Sequence, residues 1–414
     1  MQQFLTAAGD AVDPLVEATI RLAATQGAGA ISSRALGELS GASASAINYR
    51  FNSLAGLVSA ATIASDKSRA DFWVRATEQL GELTLRSDDF APAAFSTLRQ
   101  NCVTLRGEDN LFWHAAINSC RQQTPLLGID AIQAEHEFWR QLAGRCGISI
   151  QVAEPLACFA QALRFSWQVF ETPERFDPWA MALITRFAAR ASGEVPTKAP
   201  DSAWRQLAET EAELDAGPPP PNHVSAQRIV EATISLIMSE GAAAANHRSI
   251  AARAELSVSS VQHFFGTRSA ILMAAFRQIF EAARNRTLPP HLPVGTLEAD
   301  ELFRTLMGDG IMNMVAFEAD FAAMHGLILS ASEHSSTRPI AKGLIARMGA
   351  TSMELLSALK TTRGAIGRLD GQILSMTLGQ TAILSLMDRD LAKSGEQADL
   401  MKRIGETLLD SLFV

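Results

Sequence analysis

Apolar residues recur along the chain at intervals of three and four positions, which is the period of an amphipathic α-helix. Val16, Ile20 and Leu22 form the apolar stripe of a first helix, which Gly27 is expected to end. The next helices are predicted by the apolar sets Ala35, Leu36 and Leu39; Ile47, Tyr49 and Phe51; and Leu57 and Val58. β-Branched runs bounded by turn residues are scarce. The pattern therefore predicts an all-α protein.

This pattern occurs twice in the chain. The pentapeptide VEATI occupies residues 16–20 and again 230–234, an offset of 214 residues. At this offset, and without a gap, the identical pairs are Leu22 and Leu236, Gly27 and Gly241, Arg34 and Arg248, Ser43 and Ser257, Ser45 and Ser259, and Phe51 and Phe265. Further along, Pro125 matches Pro339, and a slip of three residues brings His114 opposite His325. We interpret the chain as one unit that has been duplicated.

In each copy the second and third helices are short and closely joined, which is typical of a helix-turn-helix. The third helix of the first copy begins with the small residues SASA at 43–46, so that its backbone can approach DNA closely. Ser43 is the expected N-cap of this helix. Asn48 and Tyr49 are expected to reach base edges and phosphates, while the bulky residues Ile47 and Phe51 hold the helix on its own core.

The segments ISSRALGELSGASASAINYRFNSLAGL and HRSIAARAELSVSSVQHFFGTRSAIL both resemble the DNA-binding segment of tetracycline-repressor-type (TetR family) regulators. The resemblance implies a three-helix DNA-binding domain, a larger helical domain that encloses a small-molecule pocket, and dimerisation through the last long helices. The whole chain resembles two such units in tandem.

The resemblance also implies which residues contact DNA. In the first copy they are Ser33, Arg34, Ser43, Ser45, Asn48 and Tyr49; in the second they are His247, Arg248, Ser257, Ser259, Ser260, Gln262, His263 and Arg268. A solvent-facing role is the alternative for the two arginines Arg34 and Arg248, and a packing role is the alternative for His263.

Two positions depart from the family pattern. Leu54 stands where the family commonly has a phosphate-binding lysine or arginine, a place that Arg268 keeps in the second copy. Glu255 replaces the turn glycine that the first copy has at Gly41, and a side chain there is expected to strain the turn.

The predicted domain division follows the repeat. Residues 1–60 and 224–274 are the helix-turn-helix domains, which we call the first and second heads; residues 61–195 and 275–414 are the two helical regulatory domains. Residues 196–223 form the linker, in which Asp201 is expected to cap a short helix and GPPPPN to be extended polyproline.

The formal net charge of −8 argues against bulk attraction to nucleic acid, so the local charge of each head matters more. Residues 1–72 carry five basic and six acidic side chains, whereas residues 224–290 carry seven arginines and four glutamates. We therefore expect the second head to bind phosphate more strongly.

The regulatory domains are expected to enclose the pocket for a small-molecule effector. The candidates for its lining are Trp113, His114, Asn118, Arg121, Trp139 and Trp167 in the first half, and Met312, Phe317, Phe321, Met324 and His325 in the second. Ordinary core packing is the alternative for each of them. Residues 153–192 and 370–413 are expected to form an internal four-helix interface and so an intrachain pseudo-dimer, with a homodimer carrying four heads as the alternative.

The sequence offers little support for catalysis or metal binding. The motifs G-x-S-x-G, H-E-x-x-H, the phosphate-binding glycine loop and repeated Glu-x-x-His are all missing, so neither an enzyme nor a cofactor is predicted. The four cysteines have no paired spacing and are expected to be reduced and buried. The N-terminus has no signal-peptide pattern and no apolar run reaches membrane-spanning length, so we expect a cytoplasmic protein.

These observations predict a ligand-responsive transcriptional regulator, by default a repressor, which binds double-stranded operator DNA and is released by the effector. The alternative is a helical ligand-binding or protein-interaction module in which one or both heads no longer bind DNA.

Overall fold

The computed structural model describes residues 12–122, 130–170, 172–194, 201–215, 222–287, 293–299, 301–302, 323–333, 337–387 and 396–414. Within these ranges the chain is helical and contains no β-strand, only an isolated bridge between Leu297 and Leu359. The all-α prediction is confirmed. Among the same residues, no helix combines the length and the apolar character needed to cross a membrane.

The first half consists of nine α-helices over the residues that are described. They are α1 (Pro14–Gln26), α2 (Ser33–Ser40), α3 (Ala44–Phe51), α4 (Leu54–Gly81), α5 (Phe90–Thr104), α6 (Arg106–Gln122), α7 (Asp130–Arg145), α8 (Ala153–Val169) and α9 (Asp177–Ala191). α4 continues without a break past residue 60, so one helix belongs to both the first head and the first regulatory domain.

The described part of the remaining chain continues the helical series. Its helices are α10 (Asp201–Asp215), α11 (Val224–Glu240), α12 (His247–Ala254), α13 (Val258–Phe265), α14 (Arg268–Thr287), α15 (323–332), α16 (Arg338–Arg347), α17 (Ala350–Ser357), α18 (Arg368–Met387) and α19 (Glu396–Leu412). α2 and α3 match α12 and α13 residue for residue at the offset of 214.

The two heads have equivalent cores. Leu22, Leu36, Ile47 and Leu57 are fully buried in the first head, and so are their counterparts in the second head, Leu236, Ile250, Val261 and Ile271. Burying each of these side chains contributes roughly 1.5–3 kcal/mol to the stability of its head. α1 ends at Gly27 as predicted, and α11 ends at Gly241 with nearly the same backbone angles.

The predicted linker contains a packed helix. α10 lies against α16 and α9, and its residues Ala203 and Leu207 are buried. The side-chain amide of Gln206 donates a hydrogen bond to the carbonyl of Arg175. Asp201 is the first residue of this helix, and the proline run lies outside the described residues. The connection between the halves is therefore fixed to the body of the protein along α10.

The last helices of the two halves pack against each other, as predicted for residues 153–192 and 370–413. α18 and α19 both contact α8 and α9. The carboxylate of Asp370 is buried at this interface and lies 2.6 Å from Arg186 Nη2 and 3.1 Å from Arg190 Nε. Trp179 Nε1 donates to Gln372 Oε1 at 2.9 Å. Apolar packing and a buried ion pair thus hold the halves together.

Candidate nucleic-acid interface and effector site

The helices α3 and α13 begin in the same way. Ser43 is the N-cap of α3 and its Oγ accepts the backbone N–H of Ala46 at 3.2 Å, which confirms the capping prediction. Ser257 caps α13 and accepts the N–H of Ser260 at 3.0 Å. Both serines are exposed. The small-residue end of each helix is therefore open to solvent and available to a partner.

Side chains along α3 and α13 divide between core and solvent as the helix-turn-helix prediction requires. Ile47 and Val261 are fully buried and anchor the two helices. Tyr49 is 90% exposed. Other predicted DNA contacts on these helices are also exposed, namely Ser45, Asn48, Ser259, Gln262 and His263. Ser260 is half-buried.

The predicted contacts on α2 and α12 are less freely displayed. Arg34 is exposed but its Nε lies 2.9 Å from Glu38 Oε1, in an ion pair within α2. Arg248 is exposed at the equivalent place on α12. Ser33 and His247 are half-buried at the starts of their helices.

Arg268 has a structural role that the sequence did not reveal. Its Nε donates to the carbonyl of Ala245 at 2.8 Å and its Nη2 to the carbonyl of Ala242 at 2.7 Å. Burial lowers the pKa of this guanidinium below its usual value. Arg268 therefore ties the start of α14 to the turn after α11, and these two donors are not free for phosphate.

Counting charges along the sequence overstates the basic surface of the second head. Arg253 bonds Glu240 Oε1 and Ser235 Oγ, both at 2.7 Å. Arg228 Nη2 donates to the carbonyl of Ala254 at 2.7 Å and lies 3.3 Å from a carboxylate oxygen of Glu255. The expected stronger phosphate binding of the second head stays a prediction, and Arg248 is one exposed cation of that head.

The turn between α12 and α13 has a left-handed residue at Glu255, where the sequence indicated a strained turn. Gly41 ends α2 with φ 72°, and Glu255 ends α12 with φ 53° and ψ 45°. Both are left-handed, a region that costs a residue with a side chain about 1 kcal/mol or more. Glu255 thus keeps a turn geometry that suits glycine better.

The interior of the first regulatory domain contains a buried charged cluster that sequence reasoning missed. We call Arg69, Asp109, Glu135 and Arg164 the buried cluster. Each of these side chains is at most 1% exposed. Asp109 Oδ1 lies 3.0 Å from Arg69 Nε and 2.7 Å from Arg164 Nη1. Glu135 Oε2 accepts from Arg164 Nη2 at 2.6 Å. α4, α6, α7 and α8 each supply one member.

Several polar atoms at the buried cluster have no hydrogen-bond partner. They include both Nη atoms of Arg69, Nε of Arg164 and the indole N–H groups of Trp73 and Trp113. The nearest carboxylate to Arg69 Nη1 besides Asp109 is Asp66, whose Oδ1 lies 3.7 Å away, beyond hydrogen-bond distance. Buried donors without a hydrogen-bond partner are costly to the folded state.

Burial governs the electrostatics of the buried cluster. It raises the pKa of Glu135 above its usual value, although the two arginines pull the other way. It also lowers the pKa of Arg69 against the opposing effect of Asp109. Burial opposes the charge of Arg164 as well, but Asp109 and Glu135 together raise the pKa of that guanidinium. Arg164 is therefore the fixed cation that holds the two carboxylates.

Predicted effector residues from both halves meet beside this cluster. The Phe165 ring contacts both Trp113, with ring centres 5.1 Å apart, and His325, with ring centres 4.8 Å apart. His325 is buried in α15. His114 Nε2 lies 2.7 Å from Glu333 Oε1. The two histidines thus each contact the opposite half of the chain.

The other predicted effector residues are dispersed. Trp139 is buried, and its Nε1 donates to Glu135 at 3.3 Å, so that it does border the buried cluster. Trp167 is buried near Phe176 and donates to Asp177 at 3.1 Å. Asn118 is exposed and Met324 half-buried. The side chain of Arg121, and Met312, Phe317 and Phe321, lie outside the described residues.

The cysteines are buried and free, as the sequence predicted, where the structure describes them. Cys102, Cys146 and Cys158 are free and buried, and burial raises the pKa of Cys158 to about 12. The side chain of Cys120 is outside the described part. Among the described residues no group of three or more His, Cys, Asp or Glu side chains is placed to hold a metal ion.

Comparison with known proteins adds no family assignment. No protein-family model matches the chain, and no curated protein matches it significantly.

Proposed function

We propose that the protein is a ligand-responsive transcriptional regulator that binds double-stranded operator DNA through two helix-turn-helix heads, in the manner of two fused TetR-type units. The observation that supports this best is the repetition of α2 and α3 as α12 and α13, each pair with a serine-capped, solvent-open second helix. An element of this kind can enter the major groove with its N-terminal end.

The proposed effector site is the buried cluster with its aromatic surroundings. Neither Nη atom of Arg69 has a hydrogen-bond partner, and the Arg69 guanidinium lies 3.8 Å from the centre of the Phe112 ring. α4 carries Arg69 and also runs into the first head, so a ligand that shifts α4 changes the position of that head. A ligand that binds better to the form with wrongly spaced heads releases the operator. We propose repression as the default outcome and the cytoplasm as the location.

The packing of α8 and α9 against α18 and α19 supports an intrachain pseudo-dimer. Within one chain, the two halves take the places that two subunits hold in a dimeric regulator. Size measurement of the purified chain by light scattering separates a monomer with two heads from a homodimer with four.

DNA binding is tested by mobility shift with duplex fragments from upstream of the protein's own gene, over a series of salt concentrations. We expect binding that weakens steeply with salt and is lost in a variant that combines Asn48→Ala, Tyr49→Ala, Gln262→Ala and His263→Ala. Val103→Thr, a change at an exposed position on α5, is the matched control and leaves binding intact. Equal binding by the quadruple variant would show that DNA is not bound through these heads, and no binding by the wild-type chain would favour the alternative, a helical module with inactive heads.

A further inference from the structure

The two heads share a backbone but differ in the side chains that they expose. Ser43 Oγ lies 2.8 Å from Ser45 Oγ, and Ser257 Oγ lies 2.8 Å from Ser259 Oγ. The serines at the helix starts are thus alike in type and in arrangement. Within residues 43–49, the pairs that differ and are not buried are Ala44 and Val258, Ala46 and Ser260, Asn48 and Gln262, and Tyr49 and His263.

The differing positions are the ones that can read sequence. Contacts from serines and backbone N–H groups to phosphate position a protein without reading bases. Asn48 and Gln262 carry the same amide, but the glutamine is longer by one methylene group, so the two amides reach different depths of the groove. Tyr49 offers a phenol where His263 offers an imidazole. Heads with such different tips prefer different bases.

The packing of the two halves also sets the relative orientation in which the two heads would meet the DNA. The offset of 214 maps α8 (Ala153–Val169) onto 367–383, which begins one residue before α18 (Arg368–Met387) and ends four residues before its end. These equivalent helices pack on each other, and Gln380 Nε2 donates to Gln161 Oε1 at 3.0 Å. Contact between equivalent elements is the mark of a two-fold relation. Heads related in this way meet the duplex in opposite directions.

We propose that the operator is non-palindromic, with two unlike half-sites in inverted orientation, one read by α3 and the other by α13. The inference rests on the DNA binding proposed above. A homodimer of identical subunits presents two identical heads, whereas the two heads of this chain differ at four exposed or half-buried positions within residues 43–49 and 257–263.

Selection from a random duplex library by the full chain tests the inference. We expect the enriched sequences to contain two different half-sites at a fixed spacing. Failure to enrich any sequence would refute the proposed DNA binding itself. Enrichment of a palindrome, or of a lone half-site, would overturn the non-palindromic operator while leaving DNA binding in place.

A swap of head residues sharpens the test. The variant with Ala44→Val, Ala46→Ser, Asn48→Gln and Tyr49→His gives α3 the tip of α13, through changes at exposed or half-buried positions. We expect its selected site to become a palindrome of the half-site read by α13. Its affinity for the original operator should fall about tenfold or more, since a mismatched base pair typically has that effect. An unchanged selected site in a folded variant contradicts the inference, and Val103→Thr again serves as the control.

Discussion

His114 Nε2 lies 2.7 Å from Glu333 Oε1, and the same carboxylate oxygen accepts the backbone N–H of Gly29 at 3.0 Å. Gly29 belongs to the turn that follows α1 in the first head, while Glu333 follows α15 in the second half. A Cβ atom at Gly29 would lie 2.5 Å from Glu333 Oε2, so a larger residue there would displace the Glu333 carboxylate. One side chain of the second half thus holds both the first head and its regulatory helix α6.

Replacing this carboxylate should loosen the first head. Glu333→Gln removes the negative charge and keeps the size of the side chain. We expect a loss of about 1–2 kcal/mol in the free energy of unfolding, because the His114 and Gly29 donors lose a charged acceptor. Urea unfolding measures this loss. A double-mutant cycle with His114→Gln isolates the interaction energy between His114 and Glu333. Glu38→Gln, which breaks the exposed pair with Arg34, should change stability by less than about 0.5 kcal/mol. Additive effects of the two changes would contradict the coupling.

The left-handed turn of the second head offers a stabilising substitution. Glu255→Gly removes a side chain at φ 53° and should raise the free energy of unfolding by about 1 kcal/mol. The exposed ion pair with Arg228 is lost, but such pairs contribute little. Gly41→Ala is the reciprocal change in the first head, at φ 72°, and should destabilise by a similar amount. Thermal unfolding measures both, and a destabilised Glu255→Gly variant would show that the turn is not strained.

The interface between the halves depends on Asp370. Asp370→Asn leaves the guanidinium groups of Arg186 and Arg190 without their shared charge at a buried site, and we expect a loss of about 3–5 kcal/mol. The control is Glu154→Gln, which removes the exposed partner of Arg403 in the same interface and should have an effect below about 1 kcal/mol. Denaturant unfolding compares the variants. Equal losses of unfolding free energy in the two variants would mean that the buried position of Asp370 does not increase its contribution to stability.

The stability of the protein should fall in mild acid because of His136. Burial lowers the pKa of this histidine, and its Nε2 has no hydrogen-bond partner. The folded state therefore stays neutral where the unfolded state takes up a proton, below a pH of about 6.5. The stability contributed by the neutral ring is complete above that pH and is lost as the pH falls. His136→Gln should flatten the pH dependence of the unfolding free energy between about pH 5 and 7. A slope equal to that of the wild type would locate the acid sensitivity elsewhere.

Local signals made the heads predictable. Gly27 and Ser43 mark a helix end and a helix start by their own backbone chemistry, and the repeat places a second pair at Gly241 and Ser257. The contact between residues 153–192 and 370–413 was expected from the resemblance, which implies dimerisation through the last long helices. The helix ends and starts of the heads depend on residues that are close in sequence or on periodicity.

The buried cluster was not predictable in this way. Arg69, Asp109, Glu135 and Arg164 come from four separate helices, and each looks like an ordinary charged residue in its own stretch of sequence. The one available signal was Arg164, which stands within the apolar run LACFAQALRFSW. Arg268 was predicted to bind phosphate from its family-like position, whereas its Nε and Nη2 donate to two carbonyls of the same head.

The pairing of Asp370 with Arg186 and Arg190 has no mirror image. The offset of 214 puts Leu156 opposite Asp370 and puts Leu400 and Ile404 opposite the two arginines. At this offset the N-terminal half carries both arginines and the second half carries the carboxylate, so the ion pair joins two unlike halves. The ion pair therefore favours contact between the two different halves over contact between two copies of the same half.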